Sequence, residues 1–474
     1  MITYIKINGF KSFHDFEMEF TPFTVIAGTN ASGKSNLFDA LKLLSRLADT
    51  DNLKKAFKEQ RGEFLELFTL YGKNVYASEM NFSVEMLVNY KVKDAWGNEA
   101  TLKYTRLRYE LKIRRFTNST GIEDLEVAYE SLENLRHQED KWIKLITKND
   151  IENWRPKVVT GKRGIPYILT EVENDIPTVQ VPQDGTTGNK RRFPLKNASR
   201  TVLSSFDTID FPHVLAAKEE MRSWKFLELN PEDLRHPTSK NTGEDVLSQS
   251  GKNLAAVLNR IKQEDIYSLK EISRKLQTFL PNFIEVDVMD DTENKQYLIK
   301  LKDKDKKEYS SRVLSEGTLR ILTLCILEYD NKHTGLLCFE EPENGIHPFR
   351  IGAMAQLLKD LCTDFSDIDI PLRQVIVNTH SPILVGNILE LYMSDKNVSI
   401  HLSQMVNRLT TINNEKQKLS ITTMDNPFSG YQEKDLIGGI FTEQELENKR
   451  KYAKAKVKDY LETTDFETLI ENFK

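Results

Sequence analysis

The segment Gly28-Thr29-Asn30-Ala31-Ser32-Gly33-Lys34-Ser35 fits the pattern G-x-x-x-x-G-K-[ST]. Just before it, Phe23-Thr24-Val25-Ile26-Ala27 is a short apolar run suited to a strand buried on both faces. Just after it, residues 36–47 follow a helical period, with Leu37, Leu41 and Leu44 on one face. Strand, tight loop and helix together form the setting in which such a loop grips phosphate. Gly28 and Gly33 let the backbone turn so that its N–H groups converge on anionic oxygens. The start of the helix adds positive potential. In that geometry Lys34 reaches the β- and γ-phosphates of a nucleoside triphosphate, and the Ser35 hydroxyl ligates Mg²⁺. A glycine-rich turn with a merely solvated lysine is the bland alternative, and the flanking strand and helix argue against it.

Three later segments supply matching chemistry. In Leu336-Leu337-Cys338-Phe339-Glu340-Glu341-Pro342, four apolar residues lead into two acids. A buried strand ending this way presents Glu340 to a metal ion and Glu341 to an attacking water. An acidic strand exit of no function is the competing reading. Gln374-Val375-Ile376-Val377-Asn378-Thr379-His380-Ser381-Pro382 places His380 at the carboxyl tip of another apolar strand, where α/β sheets hold their ligands, and a γ-phosphate contact is expected. Leu314-Ser315-Glu316-Gly317-Thr318 opens an apolar helix over 318–327. A hydroxyl plus a glycine at a helix start can bind an anion, but alone this reads as an ordinary serine N-cap.

The chain has 474 residues, enough for two structural units, and its mean hydropathy is −0.49. No apolar run is long enough for a membrane helix. Residues 1–6 alternate like a strand and carry no signal-peptide pattern. Cys325, Cys338 and Cys362 lack metal-ligand spacing and are expected to be reduced thiols in a cytoplasmic protein. The net charge of −5 gives no global attraction to nucleic acid or anionic membrane, so nucleic-acid contact would need a local basic patch. The densest one is Lys190-Arg191-Arg192 with Lys196 and Arg200, beside a Phe193 available to stack; a solvated basic loop is the favoured reading of it.

Strand-like stretches at 79–90, 104–114 and 297–301 and a helical run at 253–279 are expected between the two ends of the chain. Residues 178–199, rich in Pro, Gly, Thr and Lys, read as a loop, and 302–307 as a hairpin turn. Trp142, Trp154 and Trp224 read as packing residues. Two polar strands and a charged helix at 443–461 are expected last, the helix either solvated or docking a partner. The fold class is α/β. Residues 1–60 and 300–400 form the two halves of one core, 61–299 a β-rich lobe with a helical insert, and 401–474 a terminal unit of strands and helix.

In this order, the segments resemble the ABC-type ATPases of the SMC, RecF and OLD-like branch. The likeness covers residues 1–50 and 310–390. Ile5-Lys6-Ile7-Asn8-Gly9-Phe10-Lys11-Ser12-Phe13 looks like the branch's first strand, and residues 28–36 like its Walker A, including Asn30 and Asn36. Residues 314–318 look like its signature motif and 336–342 like its Walker B. Glu343-Asn344-Gly345-Ile346-His347-Pro348 falls at its D-loop and His380 at its switch histidine. The resemblance implies an ABC-type head with mixed β-sheets and a large α+β insert. It implies ATP held by Gly28, Asn30, Ala31, Ser32, Gly33, Lys34, Ser35 and Asn36, with Mg²⁺ on Ser35 and Glu340 and catalysis by Glu341 and His380. It also implies that Ser315 and Gly317 act in trans, sealing ATP on a sister subunit in a head-to-tail homodimer. Glu340 replaces the usual Asp, Asn378 stands where a small residue or Thr is common, and Gln138 is the nearest candidate for the Q-loop glutamine. The insert is too short and mixed for a long coiled-coil arm. The acids after His380, Asp425, Glu433 and Asp435, read as loop charges rather than a nuclease centre.

The functional expectation is an ATPase that drives or gates a separately encoded effector, a nuclease or toxin, as in bacterial anti-phage defence. The alternatives are a RecF-type ATPase that clamps DNA and a slow ATP-dependent scaffold. Membrane transport does not fit the branch features.

Overall fold

The computed structural model describes residues 1–72, 75–156, 165–183, 190–241, 246–367, 371–412 and 415–427, together with 455 and 457. Its site-bearing sheet is built from β1 (Phe23–Ala27), which feeds α1 (Lys34–Asp49); β2 (Lys225–Leu227); and, after α2 (Glu316–Tyr329), β3 (Gly335–Glu340), β4 (Arg373–Thr379), β5 (Val398–Ile412) and β6 (Glu415–Asp425). The spatial order is β2-β3-β4-β1-β5-β6. Every pairing is parallel except the last, where β6 returns antiparallel along β5. β1 and β4 are buried along their whole length, which is why their centres, Val25-Ile26-Ala27 and Val375-Ile376-Val377, are continuous apolar runs rather than alternating. The parallel register brings the carboxyl ends of β1, β3 and β4 to one edge, where open α/β sheets place their ligands.

A second, antiparallel sheet has the order Glu123–Asn134, Arg106–Thr117, Glu79–Leu87, Ile2–Asn8, Phe16–Glu19. Helix α1 joins its core. Leu37, Leu41, Leu43, Leu44 and Leu47 are buried in one cluster with Ile5, Phe10, Val84 and Leu111. Each buried leucine contributes about 1.5–3 kcal/mol, so the helix that follows the phosphate loop is firmly anchored. Both sheets draw strands from more than one sequence block. The second joins residues 2–19 to strands beyond residue 79, and the first takes β2 from the middle of the chain and extends past residue 400.

Several local expectations change. The helical run at 253–279 is two helices, Leu254–Glu264 and Ile266–Phe279. Asp265 breaks it by accepting from the N–H groups of Tyr267 and Ser268, the N-cap arrangement that competes with helix continuation. The stretch 178–199 is not simply a loop. It holds the antiparallel strands Ile176–Pro182 and Lys190–Pro194, driven by the fully buried Val179 and Val181. Residues 302–307 do form a hairpin turn, with Asp303 accepting from Lys306 and Lys307 N–H. Trp142, Trp154 and Trp224 are buried, their indole N–H groups donating to Phe20 O, Phe365 O and Glu220. Cys325, Cys338 and Cys362 are free thiols. Asp425 ends β6 rather than lying in a loop, while Glu433, Asp435 and all of the expected helix at 443–461 except residues 455 and 457 lie outside the described residues. No described helix is long and apolar enough to cross a membrane.

The basic stretch is largely engaged within the chain. Lys190 Nζ donates to Gln180 Oε1 at 2.8 Å, and Arg192 faces Glu173 at 3.7 Å. The Arg191 guanidinium lies 5.5 and 5.0 Å from the ring centres of Phe206 and Phe211. Phe193 packs edge-on against Phe206, so it is not a free stacking platform.

Two buried titratable groups in these sheets oppose each other. Glu130 accepts from Val202 N–H at 2.6 Å, Leu203 N–H at 2.7 Å and the Tyr109 hydroxyl at 3.0 Å. Burial pushes its carboxyl up to about 7 against the pull of those donors. Burial holds the His401 imidazole on β5 down to about 4. A carboxyl raised on folding stabilises most below its ordinary value of 4.5, and that contribution is lost as pH rises through about 7. A histidine lowered on folding stabilises above its ordinary 6.5, and that contribution is lost as pH falls towards about 4. Glu130→Gln removes the first effect and leaves the second. Between pH 7 and pH 5 the variant should lose about 2 kcal/mol more stability than the wild type. Urea midpoints at the two pH values measure this, and equal losses in both proteins would refute it.

Candidate active site

The loop after β1 turns through two left-handed residues, Ala31 at φ 63° and Gly33 at φ 93°. At Gly33 a Cβ would sit 1.9 Å from Thr422 Oγ1, so both the conformation and the close approach require glycine. Gly28 N–H donates to Thr379 O at 3.2 Å, tying the loop to the tip of β4. Lys34 Nζ folds back and donates to Gly28 O at 2.7 Å and Thr29 O at 2.8 Å, which places the ammonium inside the loop. Burial lowers its pKa, while the nearby carboxylates of Glu341, Glu343 and Glu340 act in the other direction. Asn30 and Ala31 form the exposed rim, and Ser35 and Asn36 are half-buried in the first turn of α1. Asn36 Nδ2 donates to Ser12 Oγ at 2.8 Å. Ser32 Oγ is buried and has no hydrogen-bond partner.

The acids arrive from the end of β3, which β4 separates from β1. Glu340 stands opposite Asn378, and Asn378 opposite Ile26, so three strand tips align beside the loop. Glu340 Oε1 accepts from Asn378 Nδ2 at 3.3 Å. Glu341 adopts a left-handed φ of 45°, which costs about 1 kcal/mol or more for a non-glycine residue and persists because its surroundings hold it. Its N–H donates to Asn378 O at 3.0 Å. Its carboxylate accepts from Asn344 Nδ2 at 2.9 Å and pairs with His380 Nδ1 at 2.8 Å. Burial pushes this carboxyl upward, but the bonds from Asn344 and His380 and the charges of His380 and Lys34 outweigh it, and the net pKa lies below the usual carboxylate range. Glu341 is therefore ionised at neutral pH. Glu343 is buried beside it, accepts from the Thr379 hydroxyl, and leaves Oε2 without a partner; burial pushes its pKa up.

Further residues at this edge escaped the sequence reading. Arg61 Nε donates to Asp39 Oδ1 at 3.0 Å, and its guanidinium comes within 4.0 Å of Glu340. Lys11 Nζ donates to Asp39 Oδ2 at 2.6 Å. The available signal was Asp39 itself, an acid set between Leu37-Phe38 and Ala40-Leu41, which needs cations when buried. Gln138 lies exposed at a turn, and among the described residues no hydrogen bond links it to the loop or the acids.

Ser315 is the N-cap of α2, its Oγ accepting from Thr318 N–H at 3.3 Å. Gly317 packs against Gly345, where a Cβ would lie 2.4 Å from the Gly345 carbonyl oxygen. Among the described residues no hydrogen bond or ion pair joins Ser315 or Gly317 to residues 28–35. One chain thus assembles the loop, Glu340, Glu341, Glu343 and His380, but not Ser315 and Gly317. The assembled part suits a magnesium–nucleoside triphosphate. It has a left-handed loop at a helix start, a buried ammonium, an unpaired buried hydroxyl and an ionised carboxylate.

This strand–loop–helix, with acids at the tip of a parallel strand of the same sheet, defines a P-loop ATPase domain. Residues 23–386 match the family described as "AAA domain, putative AbiEii toxin, Type IV TA system". The chain belongs to that family. Among solved structures, it is similar to the SMC head domain from Thermotoga maritima at 12% identity and a TM-score of 0.37, covering 90% of this chain and 98% of that one. It is also similar to an SmcHead bound to the C-winged helix domain of ScpA, at 14% identity and a TM-score of 0.46, covering 91% and 99%. A third similar structure is the Smc head domain with an extended coiled coil bound to the C-terminal domain of ScpA derived from Pyrococcus furiosus, at 12% identity and a TM-score of 0.40, covering 92% and 99%. The search of curated proteins finds no match.

Proposed function

We propose that this chain binds ATP with Mg²⁺ and hydrolyses it within a head-to-tail homodimer. The cycle then drives or gates a separately encoded effector, a nuclease or toxin, in bacterial anti-phage defence. The observation that carries the reading is the Glu341 carboxylate, ionised and clamped by His380 and Asn344 at the same edge of the sheet as the loop. Residues 28–36 hold the phosphates, with Lys34 exchanging its two carbonyl partners for phosphate oxygens. The Ser35 hydroxyl and Glu340 hold the metal, which when bound neutralises phosphate charge. Glu341 orients a water and accepts its proton, and His380 and Asn344 fix the direction of that carboxylate.

Pairing of two copies is supported by what one copy lacks. Among the described residues, Ser315 and Gly317 make no hydrogen bond to their own loop. Two large apolar side chains are exposed, Val313 just before Ser315 at 69% and Phe349 at 80%. The family description, with its toxin and toxin–antitoxin terms, supports an effector partner. A DNA clamp is less favoured, because the net charge is −5 and the exposed Lys190, Arg191 and Arg192 each face a partner of this chain.

The test is titration of the purified protein with a fluorescent ATP analogue in the presence of magnesium. Lys34→Ala should weaken binding about a hundredfold, the scale set by deleting one partner of a buried charge pair. Equal binding by both proteins would overturn the reading.

A further inference from the structure

Two hydroxyls from the β5–β6 hairpin converge on one carbonyl of the phosphate loop. Ser403 Oγ donates to Ser32 O at 2.9 Å, and Thr422 Oγ1 donates to the same oxygen at 3.3 Å. Thr422 Oγ1 lies 2.6 Å from Ser12 Oγ, which accepts from Asn36 Nδ2 at 2.8 Å. These groups form a directed chain from the Asn36 amide through the Ser12 and Thr422 hydroxyls to the Ser32 carbonyl, in which each bond polarises the next. Thr422 N–H also donates to Ser12 O at 3.0 Å, so the chain is tied at its backbone as well.

A trans peptide is planar, with its C=O and N–H pointing in opposite directions. Holding the Ser32 carbonyl towards the hairpin therefore aims the Gly33 N–H away from it, towards the concave side of the loop. Glycine has the conformational freedom to let this peptide turn over, so its direction needs an external constraint. The Ser32 hydroxyl, buried and unpaired beside the same peptide, marks that position as built for a ligand the protein does not itself supply.

We propose that Ser403 and Thr422 are positioning residues that lock the Ser32–Gly33 peptide with its N–H presented to a bound triphosphate. Through them the β5–β6 hairpin sets the affinity of the loop. This rests on the triphosphate reading of residues 28–35. The hairpin is placed for such control. β5 pairs with β1 only over Val398–Leu402, and beyond that it pairs with β6 alone, so the lock sits where the β5–β6 hairpin leaves the sheet.

The test uses the full chain carrying Ser403→Ala and Thr422→Val together, a pair that removes both hydroxyls while nearly preserving volume. Binding of a non-hydrolysable ATP analogue with magnesium is titrated, and the urea midpoint is recorded without nucleotide. The double variant is expected to bind about tenfold more weakly, and Ser403→Ala alone about fivefold. Thr422→Ser, which keeps the hydroxyl, should recover most of the affinity. Unchanged affinity in a folded double variant would overturn the lock, and so would a lowered urea midpoint with normal binding. No binding by the wild type would instead overturn the nucleotide reading itself.

Discussion

Glu341→Gln is expected to lower steady-state ATP turnover by about a hundredfold to ten-thousandfold, the range for losing a positioned general base. Glutamine keeps the length and planarity of the side chain, so its place between Asn344 and His380 can be retained. It cannot accept the proton of an attacking water. Triphosphate binding should survive, because the change removes a negative charge from the neighbourhood of Lys34 and of the incoming phosphates. Binding without turnover should trap the paired state, seen as a dimer that persists on size-exclusion chromatography with ATP and disperses without it. Phosphate release measures the first effect and light scattering the second. A slow scaffold would show little change in either. Wild-type turnover by the variant would remove Glu341 from the chemistry.

The second large effect concerns composite sites. Lys34→Ala disables the loop of its own chain, while Ser315→Arg should block the face offered to the sister chain. Each homodimer should be inactive, with turnover reduced about a hundredfold or more. Mixing the two variants produces heterodimers with one site carrying both defects and one carrying neither. If the sites form head to tail, such heterodimers should recover about half of the wild-type rate. No recovery across a range of mixing ratios, with dimers shown to exchange subunits, would place Ser315 outside the site. The structure motivates this design, since Ser315 Oγ bonds within its own helix start rather than with the loop.

The phosphate loop was readable because its determinants are local. An apolar strand, two glycines, Lys34, Ser35 and an amphipathic helix lie in consecutive residues. Glu340, Glu341 and His380 were readable for a related reason, since an apolar run that ends in polar residues locates a strand tip. The residues that hold these groups in place were not readable. Arg61 and Lys11 converge on Asp39 only once α1 packs against the second sheet, and Ser403 and Thr422 meet Ser32 across 371 and 390 residues of sequence. Nothing in local period or composition encodes such separations. The hairpin within 178–199 was hidden because Pro, Gly and Thr dominate its composition, while its two decisive valines are only two residues. The break at Asp265 illustrates the reverse case, where a single capping side chain overrides an otherwise continuous helical period.

The position of β1 in its sheet has a consequence for the timing of synthesis. Its neighbours are β4 and β5, so both of its edges stay open until residues 373–402 have been made. At about 5–20 residues per second, that wait lasts roughly twenty to seventy seconds. During it the ribosome-bound chain displays the glycine loop with neither its acids nor its backing hairpin. Such non-local pairing is slow to form even once the chain is released. A truncated or nascent product should therefore ignore nucleotide altogether, and the order of strands in this sheet works as a delay between translation and the first encounter with ATP.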